Sequence, residues 1–283
     1  MTVALRILRA LALTTAGFLL GLWILGRALP AERMARALQT AALGSMGWTI
    51  RSQDVASTSG IGLAMQDVMI ENAKGKPVMA LDTLSVNIPV LPLLWMQGGA
   101  ELLLEDRQGG SLSLAATASP LGLRVDLEAD QFPYTLANYF LDDYGARITG
   151  ALDLELHARA PLGSPTALTG TVAIKSENIH IVGGPLLAGF GLGELDIPGL
   201  AGREDITDGK IEKLEILLDG DAMFGTLDVG LTLLPDFQGL QWEFAPHLKF
   251  DKALQAKLAP VMPLSGLRQD PKGYWSRNFR GKI

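Results

Sequence analysis

The chain carries three histidines, His157, His180 and His247, the first residues to weigh as metal ligands or general bases. None has metal-ligand spacing to another histidine or to a paired carboxylate. His157 and His180 sit in stretches of alternating apolar and polar residues, where a solvent-facing strand position accounts for them. The acidic pairs Asp142-Asp143 and Asp219 with Asp221 could grip a cation, but aspartate favours helix ends and turns, and turn chemistry explains both more simply. Cysteine is absent, which removes disulfides, thiolate metal sites and cysteine nucleophiles. No Gly-x-Ser-x-Gly elbow offers a serine for acyl chemistry. Gly189-Phe190-Gly191-Leu192-Gly193 has the glycine density of a phosphate-cradling loop. No Lys-Ser/Thr follows it and the third glycine of the dinucleotide spacing is missing, so it reads as a flexible turn before Leu195 and Ile197. These residue types in this pattern predict no enzyme, no cofactor and no metal site.

What remains is apolar. Leu152, Leu154 and Leu156, then Val172 and Ile174, then Leu227, Val229 and Leu231 recur at every second position, with Asp153, Glu155, Asp228 and similar residues between them. A two-residue period puts the apolar set on one face of a strand and the polar set on the other. Such an apolar face must be covered by a second sheet, by helices or by something bound. Few helices are predicted, so the sheet either folds over itself or leaves an apolar groove. These eight residues are therefore the candidate site, as core face or as groove; a groove would suit an acyl chain or an apolar partner segment.

The elements that carry these stripes are mostly strands. Ile61, Leu63 and Met65 alternate, as do Leu84, Val86 and Ile88. Leu102 and Leu104, Gly109-Gly110, then Leu112 and Leu114 read as a hairpin. Leu121, Leu123, Val125 and Leu127 alternate with Arg124, Asp126 and Glu128, and the rhythm continues through Ile179 and Ile181, Leu214 to Leu218, and Leu240 to Phe250. Gly150, Gly170 and Gly225 each open an alternating strand, where glycine permits a bulge or bend, so the sheet is expected to be curved. Helices are predicted over Pro30 to Gly47, with Gly44 as a residue that can end it, over Thr135 to Tyr144, and over Lys252 to Val261 with Asp251 as N-cap. Pro89 to Met96, with Trp95, reads as a buried connector rather than a lipid-touching surface.

Ala10 to Gly26 is uncharged and mostly apolar, flanked by Arg6, Arg9 and Arg27. That is near the lower limit of about 17 residues for a bilayer span, and flanking arginines can snorkel to both interfaces. The small-x-small pattern of a cleaved signal is poor at Leu29, Pro30 and Ala31, so the segment reads as a retained anchor. Arginines stand on both sides, so charge does not orient it. Export of the body is inferred from its length, its lack of cysteine and the lack of further spans. The expected organisation is an anchor with a short cytoplasmic tail at 1–29, a helical stalk or lid at 30–47 and one β-rich periplasmic domain at 48–283. Hydrophobic residues make up 48% and charged residues 19%, with mean hydropathy +0.24, more apolar than an ordinary soluble enzyme. A net charge of −6 with no basic run argues against nucleic acid as a partner.

The order of motifs carries a resemblance. After the anchor come Ala64-Met65-Gln66-Asp67-Val68, Lys76-Pro77-Val78, Leu81-Asp82-Thr83-Leu84-Ser85-Val86 and a connector with Leu91, Leu93, Leu94 and Gly98. This is similar to the AsmA-like envelope proteins. Gly150-x-Leu152-x-Leu154, Leu168-x-Gly170-x-Val172, Asn178-Ile179-His180-Ile181, Gly225-x-Leu227-x-Val229-x-Leu231 and the ending Phe279-x-Gly281-x-Ile283 resemble the type II secretion system protein N family. The resemblance runs loosely from about Ala10 to Ile283, and the chain stops before the proline that commonly follows that family's last strand. It implies a single N-terminal transmembrane helix followed by a curved, elongated antiparallel β-sheet. It also implies a non-catalytic inner-membrane component of type II secretion whose partners are the inner membrane and other secretion or envelope proteins. The alternative is lipid binding or transfer, with phospholipid in the groove. The family brings no catalytic residues to carry over.

Overall fold

Residues alternating at period two should pair edge to edge, and they do. The computed structural model describes residues 30–58, 61–89, 92, 96–142, 145–164, 166–184, 194–234, 239–260 and 262–282. The anchor segment, the glycine cluster and most of the Pro89–Met96 connector lie outside the described residues. Among the described residues no helix is long and apolar enough to cross a membrane. The protein is mainly β and antiparallel, with few helices. Expected as one body after the stalk, it divides by contacts into two compact units. Among the described residues the first holds 30–107 and Ser113–Leu121, the second Gln108–Leu112 and 122–282.

The first unit opens with helix α1 (Ala31–Met46). Pro30 precedes it with extended dihedrals, a favourable place for a residue that has no N–H to leave unpaired. The helix runs past Gly44 and stops at Gly47, whose φ of 67° is the left-handed conformation glycine adopts without strain. Strands β1 (Trp48–Arg51) and β2 (Asp54–Ser57) share one edge of β3 (Ile61–Asn72). β4 (Pro77–Ile88), β5 (Gly98–Asp106) and β6 (Ser111–Ser119) follow in chain order. The β3–β4 turn is held by Asn72, whose side-chain oxygen accepts from the backbone N–H groups of Lys74 and Lys76 at 2.9 and 3.0 Å. α1 packs on β1, β2 and β3, burying Ala35. Met65, Val68 and Leu81 are fully sealed, with Leu63 and Leu84 beside them.

The second unit is a meander of β7 (Gly122–Pro133), β8 (Arg147–Ala160), β9 (Thr169–Val182), β10 (Glu194–Thr207), β11 (Lys210–Leu218), β12 (Met223–Leu233) and β13 (Leu240–Phe250), each paired with the next. Helix α2 (Thr135–Leu141), shorter than expected, is tied to β8 by Asn138, which both donates to and accepts from the backbone of Ile148. Helix α3 (Lys252–Leu258) begins at Asp251, whose carboxylate accepts from the Leu254 N–H at 2.6 Å, as the sequence predicts. After α4 (Met262–Ser265), the short strands β14 (Arg268–Gln269), β15 (Trp275–Ser276) and β16 (Phe279–Lys282) return, β15 and β16 pairing with different stretches of β13. One strand begins later than the alternation suggests. Leu121 is 94% exposed, in the turn before Gly122 (φ 141°), because a tight turn leaves no neighbour for its side chain.

Candidate functional site

Register decides which stripes meet. Leu154 stands opposite Ile174 and Leu156 opposite Val172 across β8 and β9. Leu227 faces Ile216, Val229 faces Leu214 and Leu231 faces Ile211 across β11 and β12. Ala158, Val172, Ile206, Ile211, Leu214 and Ile216 form a buried cluster. Around it, only partly buried, pack Leu154, Leu156, Ile174, Leu227, Val229 and Leu231. Seven of the eight sequence-predicted residues thus gather on one apolar face. Leu152 does not join them. Its opposite positions are Phe132 and Ser176, and Ser176 is buried, donating its hydroxyl proton to the Ala151 carbonyl. A polar neighbour on β9 ends the stripe there.

Two local devices set the spacing of this face. Gly202 lies opposite Ile174 on β10, and a Cβ there would stand 2.7 Å from the Glu215 carbonyl and 3.2 Å from the Ile216 side chain. The missing side chain lets Ile216 close over β10. The second device is a bulge in β7 between Ala129 and Phe132. Gln131 takes φ 47° there, and Asp153 on β8 accepts from both its backbone N–H (2.8 Å) and its side-chain amide (3.0 Å). The three glycines expected to bend strands act in two ways. Gly150 (φ 118°) stands opposite a bulge in β9, where Asn178 (φ 54°) and Ile179 together face it. Gly170 and Gly225 stay in register but admit close backbone: a Cβ would come within 1.9 Å of the His157 carbonyl and 2.1 Å of the His247 carbonyl.

The opposite face is charged and wet. His157 Nδ1 lies 2.8 Å from Asp126, which also receives the Arg124 guanidinium at 2.6 Å. Partial burial pushes the Asp126 carboxyl up, but the Arg124 and His157 hydrogen bonds outweigh it and hold it below the ordinary carboxylate value. His180 lies 2.5 Å from Asp196, whose hydrogen bond raises the imidazole above its ordinary value. Lys213 bridges Glu215 and Asp228 at 3.1 Å each. Glu243 is lowered by the amide of Asn278 and by Arg280. The histidines are thus strand residues paired to carboxylates, except His247, which stacks on Tyr274 at 4.4 Å with the rings 9° from parallel. Tyr274 also meets Phe224 edge-on, and the Lys249 ammonium stands over both rings at 5.5 and 5.8 Å. Sequence reading missed this aromatic group, because Tyr274 comes from a turn distant in the chain. The visible signal was Asp270 before Gly273-Tyr274, a turn in which the Asp270 carboxylate accepts from the Lys272 and Tyr274 N–H groups.

Among the described residues no group of three or more histidines or acids could hold a metal ion. The site's chemistry is apolar contact: a leucine-class side chain contributes about 1.5–3 kcal/mol when its surface leaves water, and the stripe leaves some of that surface unburied. Comparison with protein-family models, with curated proteins and with solved structures returns no match.

Proposed function

We propose that the chain is a non-catalytic accessory component of the type II protein secretion machinery. In this reading its N-terminal segment holds it in the inner membrane, and its body is a curved, elongated AsmA-like sheet in the periplasm that acts by protein contact. The observation that carries the reading is the partly open apolar face built from Leu154, Leu156, Ile174, Leu227, Val229 and Leu231. A face of this kind offers contact area to an apolar partner segment. The motif order similar to the protein N family supports the secretion assignment. The test is deletion of the gene in a cell that uses this machinery. Folded exoproteins should accumulate in the periplasm, and a photo-crosslinker in place of Leu231, within the stripe, should capture named secretion subunits. Normal export, with no such subunit captured, would sink the proposal.

A second reading has its own support in the same partial exposure: the face could hold a phospholipid acyl chain. Native mass spectrometry of the full chain should then show bound phospholipid that is lost in Leu154→Asp while the protein stays folded. Lipid-free wild-type protein would remove this reading and leave the first intact.

A further inference from the structure

We propose that the C-terminal segment of the second unit holds an anion site for a phosphate-bearing ligand, fitted to the headgroup of an acidic lipid, with Arg268 and Arg277 as its cationic contacts. This goes beyond the secretion reading and does not depend on it. The site is a cavity of about 620 Å³ whose lining includes Arg268, Arg277, Ser276 and Asn278, with Pro263 and Leu267 as apolar wall. No acidic residue lines it, in a chain whose net charge is −6. Arg51, Arg107, Arg124 and Arg280 are paired with carboxylates. Among the described residues Arg268 and Arg277 have no such partner; Arg159 and Arg203 likewise lack one, and what sets Arg268 and Arg277 apart is that they line one cavity together.

Arg277 is held in place before any ligand arrives. Its Nη1 donates to the Ser265 carbonyl at 2.7 Å, and its guanidinium carbon stands 4.8 Å from the centre of the Phe279 ring. Gly266, at φ 68°, makes room for it, since a Cβ there would lie 1.9 Å from that same nitrogen. A guanidinium carries five N–H donors, of which Ser265 uses one, and its planar fork matches a phosphate's paired oxygens. Arg268 stands directly opposite Ser276 across β14 and β15, so a hydroxyl donor accompanies the second arginine.

Size and lining choose among anions. About 620 Å³ equals the liquid volume of roughly twenty waters, far more than a bare phosphate fills. Pro263 and Leu267 also line a second cavity of about 340 Å³, which Met262 and Trp275 make apolar. Gln269 and Trp275 occupy the next register position of the β14–β15 pair and so face the other side. Pro263 and Leu267 belong to both cavities, so the first methylenes of a ligand held by the arginines would meet an apolar wall there.

The test is calorimetric titration of the full chain in an uncharged detergent, with dihexanoylphosphatidylglycerol and inorganic phosphate as separate probes. The lipid should bind at least tenfold more tightly than inorganic phosphate. Arg268→Gln and Arg277→Gln should each weaken it about tenfold or more, the loss expected for a charge-assisted hydrogen bond. Arg277→Lys, which keeps the charge but not the fork, should lose less. Arg203→Gln on β10 should bind as wild type, and circular dichroism should show all variants folded. Equal affinity for the two probes, still lost in the arginine variants, would keep the site and assign it to free phosphate. Wild-type affinity in both glutamine variants, or no binding of either probe by folded protein, would overturn the proposal.

Discussion

Placing one carboxylate at two depths of the same face tests whether that face is partly open. Val172 is 6% exposed within the buried cluster, whereas Leu154 packs against it and keeps contact with water. An aspartate forced into the Val172 position would see its pKa rise by roughly 3–5 units. At pH 7 the cost levels off at about 4 kcal/mol, about 1.36 kcal/mol for each of the roughly three pH units above the unfolded value, because beyond that the folded carboxyl is protonated. Losing the valine's burial adds about 1.5 kcal/mol, so Val172→Asp should cost about 5–6 kcal/mol, comparable with the whole stability of many domains. At Leu154 solvent still reaches the group. A shift of about one unit plus the partial loss of apolar burial gives a cost of about 2–3 kcal/mol. The folded-state pKa of each new carboxyl lies above its unfolded value. The penalty is therefore present at high pH and fades as pH falls toward the unfolded value near 4. Urea denaturation of the full chain in a mild uncharged detergent, followed by circular dichroism at pH 7 and pH 5, reads both costs. Equal costs at the two positions would mean a sealed face. A cost below about 0.5 kcal/mol at Leu154, the level typical of surface changes, would mean that it does not pack on the cluster at all.

Three further outcomes follow from single contacts. Gly170→Ala places a methyl against the His157 carbonyl and should lower stability by about 1–3 kcal/mol by overpacking, read as a lower urea midpoint with unchanged slope. Asp251→Ala removes the carboxylate that accepts from Leu254 and should cost about 1 kcal/mol, measured in the same way. His180 is raised by Asp196, so this pair contributes in full below the ordinary imidazole value of about 6.5 and fades as pH rises through the raised value. In an NMR titration, Asp196→Asn should move the His180 midpoint to lower pH, and an unmoved midpoint would show that the pair does not form in solution.

The strands were legible because a two-residue period survives wherever one face is buried. Leu63 and Met65, Leu84, and the Leu227–Leu231 stripe all fall where alternation places them. Alternation says nothing of what stands opposite. Ser176 ends the stripe at Leu152, and no local pattern around Leu152 announces a buried hydroxyl one strand away. Asp153 read as one more solvent-facing acid; its bond to the Gln131 backbone depends on a bulge in the neighbouring strand. Helix ends were visible where a cap is chemical, as at Asp251. The first helix fills the span read from Pro30 to Gly47; Gly44, which could have ended it, stays inside, and the left-handed turn comes at Gly47. Of the two arginines of the C-terminal cavity, Arg268 lies in a two-residue strand and Arg277 just past another, with no period to read.

The bulge at Gln131 has a consequence for how the sheet finds its alignment. Sliding β7 by two residues against β8 would return every leucine to the same side, so inside-outside sorting alone could not reject that arrangement. The slide would strip the Asp153 carboxylate of two donors and carry Gln131, with its left-handed dihedrals, opposite Ala151 in one direction, where no side-chain acceptor stands, or opposite the longer Glu155 in the other. The irregularity thus works as a notch on a ruler. It separates alignments that greasy surfaces alone would treat as equivalent, and a two-residue insertion in the β7–β8 connection should be absorbed in that connection while the pairing stays where it is.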